Sequence, residues 1–168
     1  CFATRSVAGR ASVESCGALK NIVALGVGMC DGAGHGANCQ TALIRAGLGE
    51  MERFATRFLG VGAAHAHVFK DEACGVGDLV LTCTAGRGRQ LAKGFVRGGA
   101  HEAGDADAST KRWAATEREL FNGMKLPDWH TVKAARDVLL KSGEAANFPI
   151  FGASGSAACD GARSDRDV

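Results

Sequence analysis

The stretch GALKNIVALGVGMC, residues 17–30, decides how the rest of the chain is read. It is apolar on nearly every side, and a helix without a polar face has to be buried all round. Lys20 and Asn21 are its only strongly polar side chains. Lysine is almost never fully buried without a partner. One explanation puts Lys20 near a helix end, with its stem packed and its ammonium reaching water. The other keeps it in the interior as a proton donor and acceptor, because an ammonium stripped of water gives up its proton more readily.

Further along, GVGDLVLTC (residues 75–83) poses the same problem with Asp78. The segment is short and aliphatic and fits a helix or a strand. If it is helical, Thr82 shares a face with Asp78, four residues before it. Asp78 then either caps that helix or pairs with Lys20, each relieving the other's burial. Arg87 and Arg89 follow between glycines in AGRGR. Their planar forks match phosphate oxygens, although short basic loops of this kind are usually solvated turns. The same two readings apply to Lys125 in NGMKLP.

Around these segments the apolar spacing is helical. Over residues 41–59, Ile44, Leu48, Met51, Phe54, Ala55 and Phe58 form a stripe of period 3.6, with Glu50, Glu52, Arg53 and Arg57 filling much of the remainder. Residues 87–97, 111–121 and 130–141 each fit an amphipathic helix. Residues 148–159 start another, with Pro149 in its first turn. Residues 98–110 (GGAHEAGDADAST) have no period and read as a surface loop. The expected architecture is an all-α domain with a short extended N-terminal arm over residues 2–7.

With 168 residues, 46% of them hydrophobic, the chain is long enough for one domain with a real core. A net charge of +2 argues against a dedicated nucleic-acid or anionic-membrane surface, though it allows a local anion site. The seven cysteines are an odd, irregularly spaced set, several inside apolar runs, and read as buried thiols in a reducing compartment. No stretch reads as long and apolar enough to span a bilayer. The first residue is Cys rather than Met, which points to a fragment or a processed product. Three tempting motifs fail. Gly26-Val27-Gly28 lacks the third glycine of a dinucleotide fingerprint, and a helical run precedes it where a strand is needed. Cys30, His35 and Cys39 fall short of zinc spacing, and His65 and His67 read as loop residues.

ESCGALKNIVALGVGMCDG, ALIRAGLGEMERFA, CGVGDLVLTC, NGMKL and NFPIF occur in this order. Together they resemble the C-terminal domain of the NAD-dependent glycerol-3-phosphate dehydrogenases, eukaryotic type. The resemblance covers roughly residues 12–161. It implies a helical domain of the 6-phosphogluconate dehydrogenase type, packed against a Rossmann domain that this chain lacks. Residues 1–11 would then be the end of that NAD-binding domain, and residues 162–168 a polar tail. The implied reaction interconverts dihydroxyacetone phosphate and sn-glycerol 3-phosphate with NADH and NAD, in the cytoplasm. The resemblance makes Lys20 the catalytic lysine, oriented by Asp78. It puts Asn21 and Thr82 on substrate oxygens, Arg87 on the substrate phosphate and near the cofactor, and Lys125 on a cofactor-side loop.

Several positions depart from the family pattern. Gly88 stands where an asparagine follows the phosphate-binding arginine, Pro127 replaces a cofactor-side glutamine, and Met124 replaces another. Loss of an amide from a phosphate site costs on the order of 1 kcal/mol of binding or more. Residues 98–110 are longer than their counterpart, and FGASGSAACDG lacks the usual tyrosines and makes a poorer helix. Two functions follow. One is the substrate half of a working dehydrogenase, inactive alone; the other is a non-catalytic helical relic kept for dimerisation or structure. Retention of Lys20, Asn21, Asp78, Thr82 and Arg87 favours the first; Gly88, Pro127 and the lacking Rossmann half favour the second. The apolar face left bare by that half would lead to a homodimer or to aggregation.

Overall fold

The computed structural model describes residues 6–98, 106–126 and 128–159. They form α1 (Arg10–Gly32), α2 (Ala37–Phe58), α3 (Val68–Asp71), α4 (Asp78–Ala85), α5 (Arg87–Arg97), α6 (Ala106–Phe121), α7 (Asp128–Ser142) and α8 (Pro149–Cys159). The domain is all-α, with no strand among the described residues. Of the extended arm expected at 2–7, residues 2–5 lie outside the described residues and Ser6 and Val7 are in no strand. The tail at 162–168 lies outside them too.

α1 is the central helix. α2, α4, α5, α7 and α8 all pack on it, and Cys16, Leu19, Ile22, Val23, Ala24, Leu25 and Val27 are buried. This is what its all-round apolarity requires. The expectation that no stretch is long and apolar enough to span a bilayer needs correction. By length and composition α1 is, with mean hydropathy 1.2 over its best window, but 56% of that window is buried inside the domain. It is a core helix.

Glycine sets how closely α5 approaches α1. A Cβ on Gly28 would lie 2.2 Å from the Arg89 carbonyl oxygen, and one on Gly32 would lie 2.7 Å from that of Lys93. The GVG glycine therefore serves helix packing. At the end of α1, Asp31 clamps the same contact with ion pairs to Arg89 at 2.6 Å and Lys93 at 2.7 Å.

Two readings of the helices change. α6 begins at Ala106, so the loop expected over 98–110 already ends inside a helix, and residues 99–105 lie outside the described residues. On α2, Glu50 is not on the outer face: it is 2% exposed. It shares an arc with Met51 and Phe54, and its oxygens accept the backbone N–H groups of Ile150 and Phe151, each at 2.9 Å. Those are unpaired donors in the first turn of α8, directly after Pro149, which has no N–H to offer. Glu50 thus caps α8 from another helix. Beside it, Phe54, Phe58, Phe148 and Phe151 stack with ring centroids 5.0–6.2 Å apart. This cap and packing offset the weak helix propensity of FGASGSAAC.

Candidate functional site

The two anomalous charges meet. Lys20 Nζ on α1 donates to Asp78 Oδ2 on α4, with side chains 19% and 34% exposed. The lysine is neither sealed in the core nor free in solvent. Asp78 is delivered by a wide π turn, Ala73–Gly77, in which Gly75 takes non-helical angles (φ −88°, ψ −105°). Only glycine fits there, because a Cβ would lie 2.3 Å from the Phe69 carbonyl oxygen. The turn starts α4 at Asp78 and resolves the helix-or-strand ambiguity in favour of a helix. Gly77 gives α4 no side-chain cap, and Asp78 spends its carboxylate on Lys20 instead.

Thr82 lies one turn along α4, as helical spacing predicts. Its hydroxyl donates to the Asp78 carbonyl at 2.6 Å and lies 3.5 Å from Asp78 Oδ1. Asn21 is half-buried next to Lys20. Cys16, one turn before Lys20, is buried and interacts with Cys74, and burial pushes its thiol up to about 12, with Cys74 and Asp78 adding to the shift. The Cys16 thiol is therefore protonated and inert at neutral pH.

Arg87 opens α5, is exposed, and donates from Nη1 to Met124 Sδ at 3.3 Å. Gly88 behind it is buried, and a Cβ there would lie 2.6 Å from Asp128 Oδ2 and 3.6 Å from Leu25. Asp128, the first residue of α7, belongs to this site and was not singled out in the sequence, where an Asp after a proline looks like an ordinary helix start. Burial raises its carboxyl above the usual carboxylate value, while the charges of Arg87 and Lys20 act in the opposite direction.

The remaining candidates lie elsewhere. Arg89 is not part of a phosphate clamp, since Asp31 holds it in the α1–α5 contact. Lys125 is 82% exposed and pairs with Glu117 at 3.5 Å, and Pro127 lies outside the described residues. Among the described residues no three His, Cys, Asp or Glu side chains gather as a metal site. Cys30 and Cys39 are in contact with each other, sulfur to sulfur at 3.3 Å.

A partly exposed Lys–Asp pair, with hydroxyl and amide groups beside it and an arginine one helix away, suits proton transfer to a small polar ligand carrying an anionic end. Residues 10–156 match the family model described as NAD-dependent glycerol-3-phosphate dehydrogenase C-terminus. The cytoplasmic glycerol-3-phosphate dehydrogenase [NAD(+)] of Bos taurus is 42% identical over 140 residues, which cover 83% of this chain and 36% of the bovine protein. The chain thus spans about a third of that relative's length. The glycerol-3-phosphate dehydrogenase structure from Plasmodium falciparum superposes with TM-score 0.78 at 28% identity, over 94% of this chain and 41% of that one. The Saccharomyces cerevisiae structure gives 0.72 at 34% identity, over 88% and 38%. The chain belongs to the C-terminal domain family of the NAD-dependent glycerol-3-phosphate dehydrogenases.

Proposed function

We propose that this chain is the substrate-binding half of a cytoplasmic enzyme that interconverts dihydroxyacetone phosphate and sn-glycerol 3-phosphate, with Lys20 as its proton donor and acceptor. The observation that carries the reading is the contact between Lys20 Nζ and the Asp78 carboxylate, both partly exposed. A structural pair buried in the core would be inaccessible to any ligand. Asp78 balances the charge of Lys20 and aims its N–H bonds. In the reducing direction Lys20 gives a proton to the carbonyl oxygen of the substrate as the carbon is reduced, and it takes that proton back in reverse. Asn21 and the Thr82 hydroxyl hold substrate oxygens, and Arg87 attracts the phosphate.

NAD, when bound, supplies or accepts the hydride. Of the positions on its side, Arg87 and Lys125 keep cations that suit its phosphates. The described residues contain no strand–glycine loop–helix unit for its adenosine half, so the nucleotide-binding half has to come from elsewhere. Val80 and Leu81 on α4 and Met124, in contact with Arg87, are exposed apolar surface for it to cover.

The test joins this chain to the nucleotide-binding half of the bovine relative and follows NADH oxidation by dihydroxyacetone phosphate. The joined protein turns over, the chain alone does not, and Lys20→Ala in the joined protein abolishes turnover. Near-normal activity of Lys20→Ala would defeat the assignment.

A further inference from the structure

Cys16, Cys30 and Cys83 are buried, as thiols inside apolar runs should be, but Cys39 is exposed. It stands in the first turn of α2, while Cys30 stands in the last turn of α1. The link between them is short and held by its own hydrogen bonds. Gly34 takes φ +84°, where a side chain would be strained. The His35 N–H donates to the Cys30 carbonyl oxygen at 3.1 Å, and Gln40 Nε2 donates to the His35 carbonyl oxygen at 3.1 Å. The reversal leaves the two sulfurs 3.3 Å apart. Bonded sulfurs lie about 2.05 Å apart, so a small movement closes the gap. We infer that Cys30 and Cys39 form a redox-modifiable pair, which the α1–α2 turn presents to a small-molecule disulfide for conversion to an intramolecular disulfide. The inference is independent of the proposed reaction.

The two sulfurs have different parts. Cys39 reacts first, because solvent reaches it. Cys30 is 8% exposed, and burial, then the contact with Cys39 and the charges of Cys39 and Asp31, push its thiol up to about 11. At neutral pH it stays protonated and does not start an exchange. The Cys39 thiolate attacks one sulfur of the oxidant, whose S–S bond breaks, and one thiol leaves with the electron pair. Cys30 then gives up its proton and attacks the Cys39 sulfur of the mixed disulfide, and the second thiol leaves. The pair has lost two electrons and two protons, and the oxidant has become two thiols. The second attack starts from contact distance, so the mixed disulfide does not accumulate. In a reducing compartment the pair rests as the dithiol, and the bond lasts only while oxidant prevails.

The test treats the reduced chain with excess glutathione disulfide, quenches in acid, alkylates with N-ethylmaleimide and digests with trypsin. Residues 21–45, between Lys20 and Arg45, form one peptide that holds Cys30, Cys39 and no other cysteine. Mass spectrometry is expected to find this peptide two hydrogens lighter and unlabelled, with both labels restored after dithiothreitol. Cys30→Ser stops with glutathione on Cys39, and Cys39→Ser keeps Cys30 reduced; circular dichroism verifies that both variants are folded. The oxidised parent is expected to melt about 5–10 °C higher than the reduced one, as a cross-link closing a short loop does. A parent peptide that keeps both labels, or that ends with glutathione on Cys39, overturns the inference. So does a melting temperature that falls on oxidation, since the bond would then distort the turn instead of forming within it.

Discussion

Glu50→Ala tests the architecture without any ligand. The carboxylate of Glu50 accepts two buried backbone N–H groups, those of Ile150 and Phe151, at 2.9 Å each. Truncation removes both acceptors, and a methyl cannot replace them. Each orphaned donor costs about 1–3 kcal/mol, so the pair costs about 4 kcal/mol. That figure measures stranded donors and not the worth of a buried charge, since burial penalises the carboxylate and the two values partly offset. It is a large share of the roughly 5–15 kcal/mol that holds a typical domain folded. With a urea slope of about 2 kcal/mol per molar, the unfolding midpoint followed by circular dichroism falls by about 2 M. Glu50→Gln keeps one acceptor oxygen but points a second donor at the other N–H, so it falls between the two. The pH dependence has a definite sign. Burial raises the Glu50 carboxyl above its ordinary value of 4.5, while Ile150 N–H, Phe151 N–H and Arg53 pull it back. A group held above its unfolded value takes up its proton first in the fold. Stability from this source therefore grows as pH falls through the folded value and is complete below 4.5. A midpoint for Glu50→Ala within about 0.5 M of the parent would show that Glu50 is no cap.

Two more predictions concern the α1–α5 contact. Gly28→Ala drives a methyl into the Arg89 carbonyl, 2.2 Å from the ideal Cβ position. It costs about 2–3 kcal/mol of strain, which calorimetry would register as a melting temperature lowered by about 5–10 °C. Asp31→Asn changes the acid limb. Lys93, then Arg89 and Arg97, hold the Asp31 carboxyl below its ordinary value of 3.8. Its contribution is therefore present above 3.8 and is lost as pH falls through the folded value. The variant is expected to unfold more easily at neutral pH, by about 1 kcal/mol for a pair at the domain edge, and to show a shallower stability loss in acid titrations. A parent and variant with the same slope below pH 4 would remove Asp31 from the account.

The helices were legible because their apolar spacing is a local property, and α5 matches residues 87–97 at both ends. Lys20 and Asp78 stood out because each interrupts an apolar run. Their contact was one of two readings that spacing left open, and spacing could not decide it, since it depends on a π turn whose cause is one close approach between Gly75 and Phe69. Glu50 was misread for an instructive reason. Counting it among charged residues put it in solvent, while its helical angle beside Met51 and Phe54 puts it in the core. Neither reading offered for Arg89, phosphate clamp or solvated turn, includes its structural partner, because Asp31 lies on another helix. Position 88 was legible only as a missing amide. What fills the space comes from α7, which no local pattern could indicate.

The glycine contacts between α1 and α5 carry a consequence for any reaction run here. Lys20 and Arg87 ride on two rods that touch main chain to main chain at Gly28 and Gly32. No spacer side chain lies between the rods there for a substitution to trim or lengthen. The span from the proton to the anion grip therefore works like a fixed gauge, and a different cargo has to be accommodated at the jaws, by side chains such as Met124.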